Sequence, residues 1–134
     1  MTLLLDTHAV IWMAEGLPEL GKGARQACSV ALTINEIAVP SIAFYELGRL
    51  LVRGRVTGPP AIVDWRRRLI ALGVREIPVS SEIAMCAAEL SNLHLDPIDR
   101  IIVATALAED AVLLTADGHI LEWPGELKRQ DARR

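Results

Sequence analysis

Aromatic side chains are scarce in this chain: one Phe, one Tyr and three Trp, 4% of 134 residues. That scarcity argues against platforms on which single-stranded bases stack in succession. Cysteine is equally sparse. Cys28 and Cys86 sit in apolar, helix-like contexts with no CxxC pair and no paired histidine, which argues against a disulfide framework and points to reduced thiols in a cytosolic setting. No apolar run approaches the ~18 residues that cross a bilayer; the longest, Ala9–Ala14 and Ile101–Ala108, are short or interrupted by Thr105. Asp6 breaks the first apolar stretch and no basic segment precedes it, so neither a secretory leader nor a membrane partner is expected. Lysine is nearly missing: Lys22 and Lys128 leave twelve of the 14 basic side chains as arginine, within a net charge of −3. That balance does not mark a nucleic-acid binder. Guanidinium forks suit phosphate and carboxylate, although such a bias equally follows genome composition.

What is present is hydrophobic residue, 51% of the chain, which excludes disorder, in a length suited to one compact domain. Short apolar runs over 2–5, 37–40, 74–79 and 111–114 read as strands. Between and around them, helical patterns cover 7–15, 22–34, 41–53, 61–72, 80–93 and 96–109, with Gly16, Gly54 and Gly73 as stops. Uniformly apolar strands alternating with helices predict an α/β fold, a parallel sheet covered on both faces. Residues 128–134 are polar and read as a flexible tail.

Two of the strands run into a carboxylate, Leu3-Leu4-Leu5-Asp6 and Val112-Leu113-Leu114-Thr115-Ala116-Asp117. Ligands of open parallel sheets bind beyond the carboxyl ends of the strands, although an Asp in that place also serves simply as the cap of the next helix. Asp96-Pro97-Ile98-Asp99-Arg100 has the same two readings. Asp96 is a good N-cap with Pro97 after it, and Asp99 suits the first turn; equally, Asp96 holds a helix start from which Asp99 projects toward the strand ends. Arg100 then pairs with a neighbouring acid or touches a phosphate. Glu46 lies on an otherwise apolar row between Ile42 and Leu50, where an acid is costly unless paired, with Arg49 or Arg53, or metal-bound. Gathered in one crevice, Asp6, Glu46, Asp99 and Asp117 would repel one another unless a cation held them. Oxygen donors without clustered His or Cys favour Mg²⁺ or Mn²⁺ over zinc, and such a centre suits phosphodiester hydrolysis.

Leu-Asp-Thr-His (5–8), Tyr-Glu-Leu (45–47), the string His94 to Arg100 and Thr-Ala-Asp (115–117) together resemble the PIN-domain ribonucleases, more narrowly the VapC-type toxins of bacterial toxin–antitoxin pairs. The resemblance spans nearly the whole chain and implies a single domain over 1–134. It implies an α/β/α sandwich with a short, mainly parallel sheet, Mg²⁺-dependent endoribonuclease activity on RNA, a cognate antitoxin and a homodimer. Carried over by position, it makes Asp6 and Asp99 metal ligands, Asp117 a ligand directly or through water, Glu46 a member of the acidic cluster, and Thr115 a supporting hydroxyl. Ile98 departs from a commonly aromatic position and should face the core. His8 and His94 read as structural. Trp12 and Trp65 belong either to the core or to an antitoxin-binding surface, and the arginines 49, 53, 55 and 66–68 either to RNA or antitoxin contacts or to a solvated face. The competing functions are a non-catalytic PIN-like interaction module and an aspartate-nucleophile phosphatase; His8 and the lack of a suitably placed lysine speak against the latter.

Overall fold

The first strand of the chain lies at the middle of the sheet. In the computed structural model, which describes residues 1–134, β1 (Leu3–Leu5) pairs in parallel with β2 (Ile37–Pro40) on one side and with β4 (Val112–Thr115) on the other. With β3 (Arg75–Ile77) and β5 (Arg129–Asp131) at the edges, the order is β3-β2-β1-β4-β5, parallel throughout. Seven helices surround it: α1 (Thr7–Glu15), α2 (Lys22–Thr33), α3 (Ile42–Val52), α4 (Ile62–Leu72), α5 (Ser81–Glu89), α6 (Pro97–Ala108) and α7 (Gly118–Leu121). None is long and apolar enough to cross a membrane.

Side chains alternate across a strand, and here the alternation divides the core in two. Leu3, Leu5, Ile37, Val39 and Leu114 pack on one face with Val10, Trp12, Cys28, Trp65 and Leu69 of α1, α2 and α4. Leu4, Ala38 and Leu113 pack on the other with Ile83, Ile102, Val103 and Ile120 of α5, α6 and α7. Both faces are covered, so the central strands are apolar without interruption. Each large side chain taken fully out of water there contributes roughly 1.5–3 kcal/mol. Trp12 and Trp65 are thereby core residues, 7% and 0% exposed, rather than a partner-binding surface. Ile98 faces the second core layer, as its position requires.

The segment expected to be a loose tail is instead a strand. Arg129, Gln130 and Asp131 pair with Leu113, Leu114 and Thr115, and Ala132 beyond them is fully buried. An edge strand needs backbone partners more than apolar side chains, and β4 supplies them. Past the strand, Gly21 N–H donates to Ala132 O and Gly23 N–H to Arg134 O, each at 2.9 Å. A Cβ on Gly21 would lie 2.4 Å from the Arg133 backbone carbonyl carbon, so this close approach needs glycine. The other edge, β3, is likewise polar at Arg75 and Glu76 and shorter than the apolar run suggested.

Candidate active site

The chain leaves β1 toward β2 and later fills the sheet on the opposite side with β4, so the strand order reverses between β1 and β4. That reversal opens a crevice at the strands' carboxyl ends. A cleft of about 260 Å³ lies there, lined by Asp6, Glu46, Asp96, Asp99 and Asp117 together with His8, Trp12, Ile102, Ala116 and Arg133. The four acids singled out from sequence, separated by up to 111 positions, thus share one wall-to-wall space with Asp96.

Helix capping and clustering turn out to be compatible. Asp6 caps α1, its Oδ1 accepting from Ala9 N–H at 2.9 Å. Asp96 caps α6 through Oδ1, which accepts from Ile98 N–H at 2.9 Å and Asp99 N–H at 3.4 Å. Asp117 caps α7 through Oδ1, from His119 N–H at 2.8 Å and Ile120 N–H at 3.2 Å. Each cap occupies one carboxylate oxygen. In Asp96 and Asp117 the second oxygen carries no protein hydrogen bond. In Asp6 it receives the Thr115 hydroxyl at 2.5 Å, and Thr115 Oγ1 in turn accepts from Asp117 N–H at 3.1 Å. Thr115, fully buried, therefore ties the two strand-end acids together.

Burial pushes the Asp6 carboxyl above its ordinary pKa against the Thr115 and Ala9 hydrogen bonds. Asp99 is pushed up to about 8, first by burial and then by the negative charges of Asp117, Asp96, Glu46 and Asp6. Its Oδ2 lies 3.0 Å from His94 Nε2, and the His94 ring meets His119 edge-on at 4.4 Å between centroids. Ligand atoms of His94, Asp99 and Asp117 lie within 4.8 Å of one another. His94 is therefore part of the cluster. From sequence it read as a structural histidine; what marked it was its place five residues ahead of Asp99 across a helix start, in the string that carried the resemblance.

Arg100 does something else than expected. It neither pairs with an acid nor lines the cleft. Its guanidinium donates to the carbonyls of Ala87, Ala88, Leu90, Leu93 and His94 at 2.7–3.4 Å. The last turn of α5 leaves carbonyls without intrahelical partners, and a planar five-donor fork satisfies several at once. Arg100 thereby fixes the loop that carries His94. Of the arginine run, Arg66 pairs with Glu76 and Arg68 with Glu15 at 2.9 Å, while Arg67 makes a surface pair with Asp64 at 3.5 Å; none lines the acidic cleft. Glu46 makes no ion pair with Arg49 or Arg53. Arg133, in the supposed tail, does line the cleft, and its polar surroundings gave no periodic signal of that.

A sequence model of the PIN domain family matches residues 3–125. The chain is 33% identical over 117 residues to Ribonuclease VapC22 of Mycobacterium tuberculosis, 87% of each chain being covered. Its fold is similar to a chain of the VapBC2 complex of Rickettsia felis bound to a promoter DNA fragment, with a TM-score of 0.70, 20% identity and coverage of 97% and 98%. It is also similar to a chain of FitAcB from Neisseria gonorrhoeae, with a TM-score of 0.67, 20% identity and coverage of 98% of each chain. With an all-parallel sheet between two helical layers and the acids of its strand ends in one cleft, the chain belongs to the PIN-domain family and, within it, to the VapC-type proteins.

Proposed function

We propose that this protein is a divalent-cation-dependent endoribonuclease and the toxin of a toxin–antitoxin pair. The observation that carries the reading is the convergence of five carboxylates on one cleft at the sheet's reversal point. Similarity to a protein named as a ribonuclease, over 87% of the chain, supports RNA as substrate. Similarity to chains of toxin–antitoxin complexes supports a protein antitoxin as partner. Homodimerisation and a cytoplasmic site of action belong to the same proposal.

The donor set fits Mg²⁺, with Mn²⁺ as substitute: carboxylate oxygens are hard ligands, and His94 adds a single borderline nitrogen. The raised pKa of Asp99 marks a carboxyl whose charged form lacks a counter-charge in the protein alone. Asp6, Asp99 and Asp117 would hold the ion. When bound, it lowers the pKa of a coordinated water and offsets charge on the phosphate. Thr115 favours the ionised form of the buried Asp6 by donating to it. His94 orients Asp99, and Asp96 fixes the helix start that presents it. Glu46 lines the same cleft without an ion-pair partner and completes the acidic set. An aspartate-nucleophile phosphatase is disfavoured because position 8 is His8 rather than a second acid and no lysine lines the cleft. A purely adhesive role leaves the intact acid set unexplained.

The test is cleavage of a structured RNA with Mg²⁺ or with EDTA, by wild type, Asp6→Asn and Asp99→Asn. Cleavage by the wild type with Mg²⁺ alone supports the enzyme; equal behaviour of all three proteins sinks it. Growth arrest on expression, relieved by the neighbouring antitoxin gene, tests the toxin role.

A further inference from the structure

Arg133 is the only arginine or lysine lining the acidic cleft. It is held there from three directions. Its guanidinium lies over the Trp12 ring at 5.3 Å from the centroid, Nη1 donates to Ala116 O at 2.8 Å, and its backbone N–H donates to Asp131 Oδ1 at 2.9 Å. The bonds from Gly21 to Ala132 and from Gly23 to Arg134 fix the backbone on either side. These contacts hold an otherwise exposed side chain over the cleft, and each one made before a ligand arrives lowers the cost of binding.

The guanidinium nevertheless forms no ion pair, although five carboxylates line the same space. Of its five N–H donors, only the one on Ala116 O is engaged with the protein. A charged fork with free donors, anchored on an indole and kept off its nearest acids, is an anion receptor in the making. The rest of the charged lining is acidic and repels a polyanion. A substrate strand crossing the cleft therefore needs a positive charge among these residues, and Arg133 is the one present.

We propose that Arg133 is a substrate-binding residue that grips a backbone phosphate of the RNA lying across the acidic cluster. This rests on the endoribonuclease reading and adds the residue that holds the strand. An RNA phosphate is favoured over a partner's carboxylate because the receptor shares its cleft with the groups that would hydrolyse a phosphodiester.

The experiment compares wild type, Arg133→Ala and Arg133→Lys in two arms. The first measures binding of a labelled single-stranded oligoribonucleotide by anisotropy over a salt series, with Ca²⁺ in place of Mg²⁺; the second measures kcat and KM with Mg²⁺. Arg133→Ala should bind roughly tenfold more weakly, and the slope of log affinity against log salt should fall by about 0.7, the loss of one phosphate contact on a single strand. KM should rise about tenfold, with kcat changed less than about threefold. Arg133→Lys should keep the salt slope and lose part of the affinity. A merely structural role would leave the slope untouched. Unchanged affinity and slope in Arg133→Ala, with wild type cleaving normally, overturn the proposal while the enzyme reading stands. RNA binding that depends on Arg133 without cleavage by wild type overturns the enzyme reading and keeps the phosphate site. Absence of RNA binding by wild type overturns both.

Discussion

Thr115 donates its hydroxyl hydrogen to Asp6 Oδ2 at 2.5 Å across 109 positions of chain. The bond joins the ends of β1 and β4, which are also joined by Asp6 N–H donating to Leu114 O at 3.1 Å. Thr115→Val keeps the shape and removes the donor. The buried Asp6 carboxylate then loses its strongest charge-assisted partner, and stability should fall by about 1–3 kcal/mol. Cleavage should fall as well, since Asp6 loses the group that favours its ionised form. Denaturant melts and RNA cleavage check both, and unchanged values in each would show that the hydroxyl is idle.

Asp99→Asn should abolish cleavage, by at least about a hundredfold, while melting at or above the wild-type temperature without metal. The substitution removes a carboxyl crowded by Asp117, Asp96, Glu46 and Asp6, and the α6 cap is Asp96 rather than Asp99. Destabilisation in the absence of metal would assign Asp99 to helix initiation instead.

The same crowding sets a pH dependence. Asp99 titrates near its ordinary value when unfolded and at about 8 when folded, so between those values the folded protein binds the extra proton. Stability of the metal-free protein should therefore decline as pH rises from about 4 to about 8. Saturating Mg²⁺, which favours the ionised form, should flatten the decline. Melts in EDTA at pH 5 and pH 8.5 are the measurement, and a higher melting temperature at the alkaline end contradicts the assignment.

Arg100→Ala strands several carbonyls at the end of α5 and in the His94 loop. Loss of a multiply bonded guanidinium should cost about 3 kcal/mol. The residual folded fraction should still cleave, because Arg100 does not line the cleft. Activity lost with stability retained would return Arg100 to the phosphate-binding role first read from its position.

Gly21→Ala inserts a Cβ 2.4 Å from the Arg133 carbonyl carbon. The end of β5 must shift, so the melting temperature should drop by several degrees and RNA affinity should follow that of Arg133→Ala. Wild-type values for both would mean that the strand end yields without consequence.

The central architecture was legible because its signals are local. Leu3–Leu5, Ile37–Pro40 and residues 112–114 are apolar on both faces, and Asp6, Ser80 and Asp96 each cap the helix that begins just after it. The acidic residues were legible for the same reason, each standing at an element end or on an apolar row. What escaped was set by tertiary partners. β5 has no apolar pattern of its own and takes its form from the open edge of β4. Arg100 sits beside two acids in sequence yet serves carbonyls contributed by another helix. His94 joins the cluster through a loop whose course depends on that arginine.

Because β1 finds its second neighbour only after more than a hundred further residues, the cleft is divided between the two halves of the polypeptide. Severed in the exposed connection from Arg53 to Ala61, one fragment would carry Asp6 and Glu46 and the other Asp96, Asp99 and Asp117. Neither piece alone could assemble a nuclease centre, and recombining them would make hydrolysis a direct report of fragment complementation.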